Sequence, residues 1–250
     1  MWYEPKRVTM AFRPPSESRR QLAGVPFDTA VNFAVEAKRR YDQFDRRPRN
    51  RDPSNCKALL AFPGNGAEIR AVFWSAKMSI DADGPAAGPG HKKGTDLDPT
   101  GQNATSFRFS NGKSLSAEAA PYIVLPQNEA EHGPFDPKVA IGDVAIVIFK
   151  DMITAAICGD LGPVNKIGEA SIRVHEALQP ACPDPCRRDR NGFCSKIRNS
   201  SVEEDVLYFV FPGSAFAERE LTLDNINTKV KERAFTLYNL LRGATAPLTA

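Results

Sequence analysis

Short runs of apolar residues are spread along this 250-residue sequence, and glycine, proline, aspartate and asparagine separate them. The runs are rich in β-branched and aromatic side chains, a composition that is typical of strands. They occupy residues 58–62, 69–75, 122–125, 144–149, 153–158 and 206–211. Because only a short polar segment containing Lys150 and Asp151 separates two of these runs, we predict a tight hairpin there.

A period near 3.6 residues appears in three further segments and predicts amphipathic helices. They cover residues 25–44, 170–178 and 223–241. The first ends in an Arg- and Pro-rich stretch, residues 46–53, which cannot continue a helix and is typical of a linker. Many short strands and few helices favour a mainly β fold with a barrel-like or sandwich core and flanking helices. A six-stranded double-psi barrel is the specific architecture that we expect.

The charge divides the chain into two parts. Residues 1–52 contain 12 basic and 7 acidic residues, whereas the remainder contains 21 basic and 23 acidic residues. We therefore predict a basic N-terminal extension with one helix and a linker over residues 1–52, and a single slightly acidic domain over residues 53–250. A solvated appendage and an attachment segment for a polyanion or a membrane surface are both compatible with the extension.

Composition excludes several classes of protein. The formal net charge of +3 is too balanced for a protein whose main partner is nucleic acid. No apolar run approaches the roughly 18 residues of a membrane span, because Lys150 and Asp151 interrupt the most apolar stretch. We expect a monomer. The first residues lack the apolar run of a secretory signal, so we expect either that the protein does not use that route or that a leader lies outside this sequence.

The five cysteines are an odd number and do not settle the compartment. Cys158 lies in an apolar run and is expected to be buried. One or two disulfides are possible among the other four, Cys56, Cys182, Cys186 and Cys194. A zinc site of Cys182, Cys186 and Cys194 is the weaker alternative, because it lacks an obvious fourth ligand other than His175.

Carboxylates provide the best candidates for chemistry, because nucleotide-binding loops, zinc-protease motifs and serine-hydrolase motifs are absent. Asp160 follows directly on a predicted strand, and Glu169 precedes the predicted helix 170–178. Two carboxyl groups that flank a scissile bond are what glycoside hydrolysis requires. A structural interpretation stays open, in which Asp160 is a turn residue and Glu169 complements the helix dipole.

Three segments near these carboxylates resemble the core of a known family. They are residues 142–149 (GDVAIVIF), 156–163 (AICGDLGP) and 166–171 (KIGEAS). Three more segments occur in the same order as in that family: residues 79–84 (SIDADG), 121–126 (PYIVLP) and 208–214 (YFVFPGS). Together they resemble the chitosanases of glycoside hydrolase family 75.

The resemblance implies an endo-acting, inverting hydrolase of β-1,4 linkages in chitosan or a related aminosugar polymer. It implies catalytic roles for Asp160 and Glu169, with Glu169 as general acid and Asp160 as general base, although the two roles are interchangeable on the sequence. Asp81 and Asp83 are expected to line the substrate cleft. No metal or cofactor is expected, because the segment after Asp83 departs from a calcium-binding EF-hand loop. An extracellular location is implied as well.

Carboxylates also suit the proposed substrate, whose amines carry positive charge. We therefore expect Asp143 and Asp151 to contribute to substrate binding. Two other functions stay open: a phosphodiester glycosidase, and a non-catalytic carbohydrate-binding or cell-wall-binding module. The second would use Phe73, Trp74 and Tyr122 as stacking platforms, but these aromatics lie on apolar strands, where core packing is the expected role.

Overall fold

A computed structural model describes residues 24–34, 38, 41, 55–64, 68–127, 139–164, 166–198, 201–217 and 219–243. Within this part of the chain there are ten strands: β1 (Val31–Asn32), β2 (Ala58–Pro63), β3 (Ile69–Asp81), β4 (Tyr122–Pro126), β5 (Val144–Phe149), β6 (Met152–Gly162), β7 (Glu169–Ser171), β8 (Cys186–Arg188), β9 (Cys194–Ile197) and β10 (Val202–Val210). Its helices are α1 (Gly94–Leu97), α2 (Ile172–Ala177) and α3 (Ile226–Leu241), with a short 3-10 helix at Phe27–Thr29.

Six of the strands close a barrel. Their order around it is β3, β10, β5, β6, β4 and β7, and β7 pairs with β3 again. The β4–β6 and β3–β7 ladders are parallel and the other four are antiparallel, so the barrel is mixed. A mainly β, barrel-like core with few flanking helices is therefore confirmed. Its double-psi connectivity stays a prediction.

One edge of β3 serves two partners. The first part of this 13-residue strand, from Ile69 to Ser75, pairs with β2, and its last residues, Ser79 to Asp81, pair with β7. The opposite edge pairs with β10. β3 therefore belongs both to the barrel and to a short extension of the sheet formed by β2 and β1.

Two apolar clusters lie on opposite faces of the strands. All six barrel strands contribute to one of them, which is therefore the barrel interior, and Trp74 stacks on Tyr208 there with ring centroids 5.3 Å apart. The other cluster lies on the outer face, where α3 packs with Val230, Ala234 and Tyr238 fully buried. Each large side chain that is removed from water in this way contributes about 1.5–3 kcal/mol to stability.

The predicted hairpin at Lys150 is present, because β5 and β6 pair antiparallel on either side of it and Lys150 adopts a left-handed φ of 54°. α2 begins at Ile172, two residues later than predicted, and α3 begins at Ile226. No helix in the described ranges combines the length and the apolar character that crossing a membrane requires.

The N-terminal residues differ from the prediction at the start of the first helix. Val31 and Asn32 form β1 on the edge of β2, and Phe27 packs edge-on against Phe62 and Phe73 with centroid distances of 5.4 and 5.2 Å. Edge pairing and aromatic burial outweigh the helical periodicity there. Most of the predicted helix beyond residue 34, and the whole predicted linker 46–53, lie outside the described residues, so the boundary at residue 52 stays a prediction.

One disulfide, Cys186–Cys194, joins β8 to β9. These two sulfurs are therefore not available as zinc ligands, which is a correction to the zinc alternative. Cys56, Cys158 and Cys182 are buried and lie outside this disulfide, and the burial of Cys158 agrees with the prediction.

Candidate active site

Four neighbouring strands, in the order β6, β4, β7 and β3, bring the main candidate residues to one face of the barrel. Asp160 is paired with Val124 across β6 and β4, and Glu169 is paired with Ser79 across β7 and β3. Ala170 packs in the barrel interior, so its neighbour Glu169 faces outward, because successive side chains of a strand alternate between faces. The two predicted catalytic residues therefore share the outer face, with the single strand β4 between their own strands.

A β-bulge at Gly159 places Asp160 on this face. Ile123 is opposite Cys158 and Val124 is opposite Asp160, so Gly159 is the extra residue on β6. Cys158 lies in the interior cluster. Without the bulge, Asp160 would face the same way as Cys158, into the apolar interior.

Gly159 also needs to be glycine. An added Cβ would lie 2.5 Å from Cβ of Tyr122 and 2.7 Å from Cδ1 of Leu115. These distances are shorter than any non-bonded contact between two carbon atoms. The close packing of Tyr122 over the bulge therefore requires a residue without a side chain.

Oδ1 of Asp160 is held by three hydrogen bonds. It accepts from the hydroxyl of Ser106 at 2.6 Å, from the backbone N–H of Ser106 at 2.9 Å and from the backbone N–H of Leu161 at 2.8 Å. Asp160 is only 5% exposed. Since Oδ1 is occupied by donors, Oδ2 is the oxygen that is free to exchange a proton.

Glu169 is paired with a lysine. Nζ of Lys166 donates to Oε1 of Glu169 at 2.5 Å, and both side chains are largely buried. Oε2 of Glu169 borders Gly162, where an added Cβ would lie 3.0 Å from it. A side chain at position 162 would therefore crowd the second oxygen of Glu169.

Asp81 and Asp83 lie at the end of β3 beside this pair. Oδ1 of Asp81 accepts from the backbone N–H of Asp83 at 2.7 Å and lies 3.1 Å from the hydroxyl of Tyr122. That hydroxyl donates to the backbone carbonyl oxygen of Asp83 at 2.8 Å. Oδ1 of Asp83 accepts from the backbone N–H of Gln102 at 2.6 Å, which ties the cluster to the loop after β3.

Burial and mutual repulsion change the acidity of these two groups. Burial is the largest cause that raises the pKa of Asp81 well above its usual value, and the negative charges of Asp83, Glu169 and Asp160 add to it. The pKa of Asp83 is raised to about 6, again mainly by burial, with Asp160 and Glu169 as the nearest charges that add to it. Asp81 and Asp83 therefore retain protons at mildly acidic pH.

Carboxylate oxygens of Asp81, Asp83 and Asp160 lie within 4.8 Å of one another. Three oxygens at this spacing could in principle bind a hard divalent cation. The same spacing also favours a carboxyl group that keeps its proton, because adjacent negative charges repel.

The structure leaves two predicted binding residues away from this cluster. Asp143 is buried below the start of β5 and accepts hydrogen bonds from the backbone N–H groups of Ala140, Ser214 and Ala215. Asp151 is exposed in the β5–β6 hairpin, at the opposite end of β6 from Asp160. Asp143 thus joins the segment before β5 to the segment after β10. Asp151 lies at the other end of the barrel.

Two further site residues escaped the sequence analysis. Ser106 comes from a loop 54 residues before Asp160, and nothing in its local sequence marks it. Lys166 lies three residues before Glu169, and this spacing was the only available signal. Tyr122 was considered only as a stacking platform, whereas its ring is buried and its hydroxyl is directed at the cluster.

A cavity of about 730 Å³ lies elsewhere, between α3, the start of β3 and the segment after β10, with Arg70, Phe216 and Arg233 among its lining residues. It contains none of the clustered carboxylates. Phe73 and Trp74 are fully buried, so the surfaces that would stack on a sugar ring are not exposed there.

One family model matches the chain. Its description is fungal chitosanase of glycosyl hydrolase group 75, and the match covers residues 78–236, from within β3 to within α3. This is more than half of the chain, and it includes every residue of the cluster. No curated protein matches the sequence.

Proposed function

The chain belongs to the fungal chitosanases of glycosyl hydrolase group 75 and is a glycoside hydrolase, and we propose that it cleaves β-1,4 linkages within chitosan or a related aminosugar polymer with inversion. The observation that carries this proposal is the presence of Asp160 and Glu169 on one outer face of the barrel. Their strands are separated by β4 alone.

This separation supports the inverting course. Two strand spacings amount to roughly 10 Å between the backbones of β6 and β7. Carboxyl groups about 6.5–9.5 Å apart leave room for a water molecule opposite the leaving group, whereas retaining enzymes need about 5–5.5 Å. A backbone separation of this size is compatible with the larger distance.

We assign Asp160 as general acid and Glu169 as general base. The Ser106 and Leu161 donors occupy Oδ1 of Asp160, so Oδ2 is the atom that would hand a proton to the leaving group. The ammonium of Lys166 donates to Oε1 of Glu169 and leaves Oε2 to accept a proton from water, as a general base requires. This assignment reverses the one expected from the sequence, because Glu169 lies on β7 and has a lysine partner.

The reaction then balances without a cofactor. Oδ2 of Asp160 donates its proton to the glycosidic oxygen as the bond from that oxygen to the anomeric carbon breaks. Glu169 removes a proton from water, and the water oxygen forms the new bond on the opposite face of the sugar. Proton exchange with solvent restores both groups.

Asp81 and Asp83 suit the substrate's charge. Chitosan presents protonated amines, and carboxylates within a partly buried site attract such cations more strongly than carboxylates in open water do. We propose that Asp83 contacts an amine directly. Asp81, whose Oδ1 lies 3.1 Å from the hydroxyl of Tyr122, shapes the floor of the site.

The test uses Asp160→Asn and Glu169→Gln on soluble chitosan. Each variant should lose about 10²- to 10⁴-fold in kcat, the typical contribution of general acid or base catalysis. Asp151→Asn, a remote exposed carboxylate, is the matched control and should keep wild-type activity. Product analysis by NMR should show the α-anomer first, and full activity in either catalytic variant would overturn the proposal.

A substrate with a good leaving group distinguishes the general acid from the general base. An aryl glycoside of a chitosan oligomer with a good leaving group does not need an acid catalyst. Asp160→Asn should therefore regain much of its activity on it, whereas Glu169→Gln should not. The opposite pattern would exchange the two roles and leave the rest of the proposal intact.

We also propose that the enzyme acts outside the cell as a monomer. The Cys186–Cys194 disulfide supports this location, because such bonds persist in oxidising compartments. Recovery of the protein from culture medium and a light-scattering mass near 27.4 kDa are the corresponding measurements.

A further inference from the structure

The β8–β9 hairpin carries a concentration of positive charge that the hydrolytic reaction does not use. Residues 186–198 include five basic side chains and a single acidic one. All five basic residues are exposed: Arg187, Arg188, Arg190, Lys196 and Arg198. The one acid, Asp189, accepts hydrogen bonds from the backbone N–H groups of Asn191 and Phe193 in the turn.

The outer face of the hairpin contains a like-charged pair. Arg187 is directly opposite Lys196 in the ladder, so the two side chains project from the same face. Cys186 and Cys194 are buried on the other face. Like charges in directly opposed positions destabilise a hairpin, and neither residue has an acidic partner among the described residues.

The hairpin is nevertheless rigidly held. The disulfide closes it, and Arg188 donates to Oε1 of Glu176 in α2 at 2.5 Å. Phe193 packs on His91 with centroids 4.1 Å apart, and Glu118 accepts from the backbone N–H of Cys194. A like-charged pair on such a scaffold is preorganised for an anion, because little conformational entropy remains to be lost on binding.

Charge determines which polymer fits this face. Chitosan is cationic and is repelled, so the hairpin is not an extension of its cleft. We propose that the outer face of the β8–β9 hairpin, where Arg187 is opposite Lys196, together with the exposed Arg190 in the turn, is a binding site for an anionic polysaccharide. Carboxylates spaced along a sugar chain match the fork of an arginine and the point charge of a lysine.

A polysaccharide is the favoured polyanion over nucleic acid for two reasons. The patch offers only three cations without acidic partners among the described residues, and the chain's overall charge is nearly balanced. Anionic polysaccharides also associate with chitosan by charge, so this face would retain the enzyme where its substrate is found. The inference concerns a second surface and does not depend on which linkage the enzyme cleaves.

Binding of polygalacturonate to the full chain tests the proposal, with neutral dextran as the control polymer. Arg187→Glu/Arg190→Glu/Lys196→Glu should weaken the affinity at least tenfold and leave kcat/KM on soluble chitosan within twofold. Lys113→Glu/Lys150→Glu/Lys231→Glu makes the same change in net charge at exposed sites elsewhere and should bind as wild type. Equal losses in both triple variants, or no binding by wild type, would overturn the proposal.

Two additional measurements make the result specific. Arg187→Glu alone creates an oppositely charged pair with Lys196, so it should raise the melting temperature slightly while it weakens binding, which separates recognition from folding. A drop in melting temperature with unchanged binding would contradict the proposal. Tighter binding to duplex DNA than to polygalacturonate at equal salt would replace the polysaccharide with nucleic acid.

Discussion

Nζ of Lys166 lies 2.5 Å from Oε1 of Glu169, in a site that also contains the carboxylates of Asp81, Asp83 and Asp160 and whose proposed substrate is a polycation. The side chains are only 17% and 11% exposed, so solvent screens this pair weakly. The lysine therefore has a local task, which is to orient Glu169 through this hydrogen bond while the neighbouring carboxylates attract positive charge.

Lys166→Met should lower kcat about 10- to 100-fold, because a hydrogen bond to a charged partner is worth about 1.5–3 kcal/mol. Lys166→Arg keeps the positive charge and should recover part of the activity. Initial rates over a range of chitosan concentrations separate kcat from KM, and the main loss should be in kcat. Wild-type kcat in Lys166→Met would contradict a role for this pair in catalysis.

Ser106→Ala removes one of the three hydrogen bonds to Oδ1 of Asp160 and leaves both backbone donors in place. We expect kcat to fall about fivefold to tenfold, the equivalent of roughly 1–1.5 kcal/mol. Ser106→Thr retains the hydroxyl and serves as the matched control. If the two variants have equal activity, the hydroxyl does not position Asp160.

Gly159→Ala should disturb both the fold and the site, because its Cβ would collide with Tyr122 and Leu115. Overpacking of this kind costs about 1–3 kcal/mol, and activity should fall further because Asp160 is the next residue. Thermal unfolding and chitosan hydrolysis are the measurements. Gly88→Ala is the control, since its Cβ would meet only Cδ2 of His91 at 3.8 Å, and it should behave as wild type.

Asp83→Asn should stabilise the fold more at pH 7.5 than at pH 4. The folded-state pKa of Asp83 is about 6, above the unfolded value of about 3.9, so the folded state binds the proton more tightly. Stability contributed by this group is therefore present below pH 4 and is lost as the pH rises to 6.

The shift in melting temperature should be small, about 1–3 °C, because Asp83 is partly solvated. Melting curves of wild type, Asp83→Asn and the exposed control Asp151→Asn at the two pH values measure it. An Asp83→Asn gain that is equal at both pH values would show that the raised pKa is not the cause.

His175 should have the opposite effect on stability. This residue of α2 is fully buried, and burial lowers its pKa from 6.5 to about 4. The unfolded chain therefore binds a proton that the folded chain does not bind between these values. Stability is complete above pH 6.5 and falls by on the order of 2–3 kcal/mol as the pH drops to 4.

His175→Leu should flatten this part of the stability curve. Denaturant unfolding at pH 4.5 and 7.5 gives the comparison, and the difference in free energy of unfolding between the two pH values should be smaller in the variant than in wild type. An unchanged difference would remove His175 as the source of acid sensitivity.

The pattern of apolar residues predicts the strands, but it does not predict where β3 and β6, which carry site residues, end. The apolar run 153–158 stops at a glycine, yet β6 continues to Gly162 because its residues pair with β4. β3 likewise runs to Asp81, past the predicted end at residue 75. Ladder pairing extends both strands beyond their apolar sequence, and these extensions carry Asp81 and Asp160.

Glu169 shows the limit of helix signals in the same way. The sequence places it at the start of a helix, whereas pairing of β7 with both β3 and β4 makes it a strand residue, and Ser171 caps the helix by accepting from the backbone N–H of Val174. The family resemblance singles out these two carboxylates, whose catalytic roles stay a prediction. Their partners Ser106 and Lys166 could not be predicted, because tertiary contacts select them.

The shared edge of β3 makes the position of Glu169 depend on where a distant strand stops. β2 and β7 compete for the same row of backbone groups, and a longer β2 would displace β7 from Ser79 to Asp81. Asn55, three residues before β2 begins at Ala58, has a left-handed φ of 48°, a backbone conformation that does not continue a strand. The point where β2 starts, more than one hundred positions before Glu169 in the sequence, therefore bears on the strand that holds a proposed catalytic carboxylate.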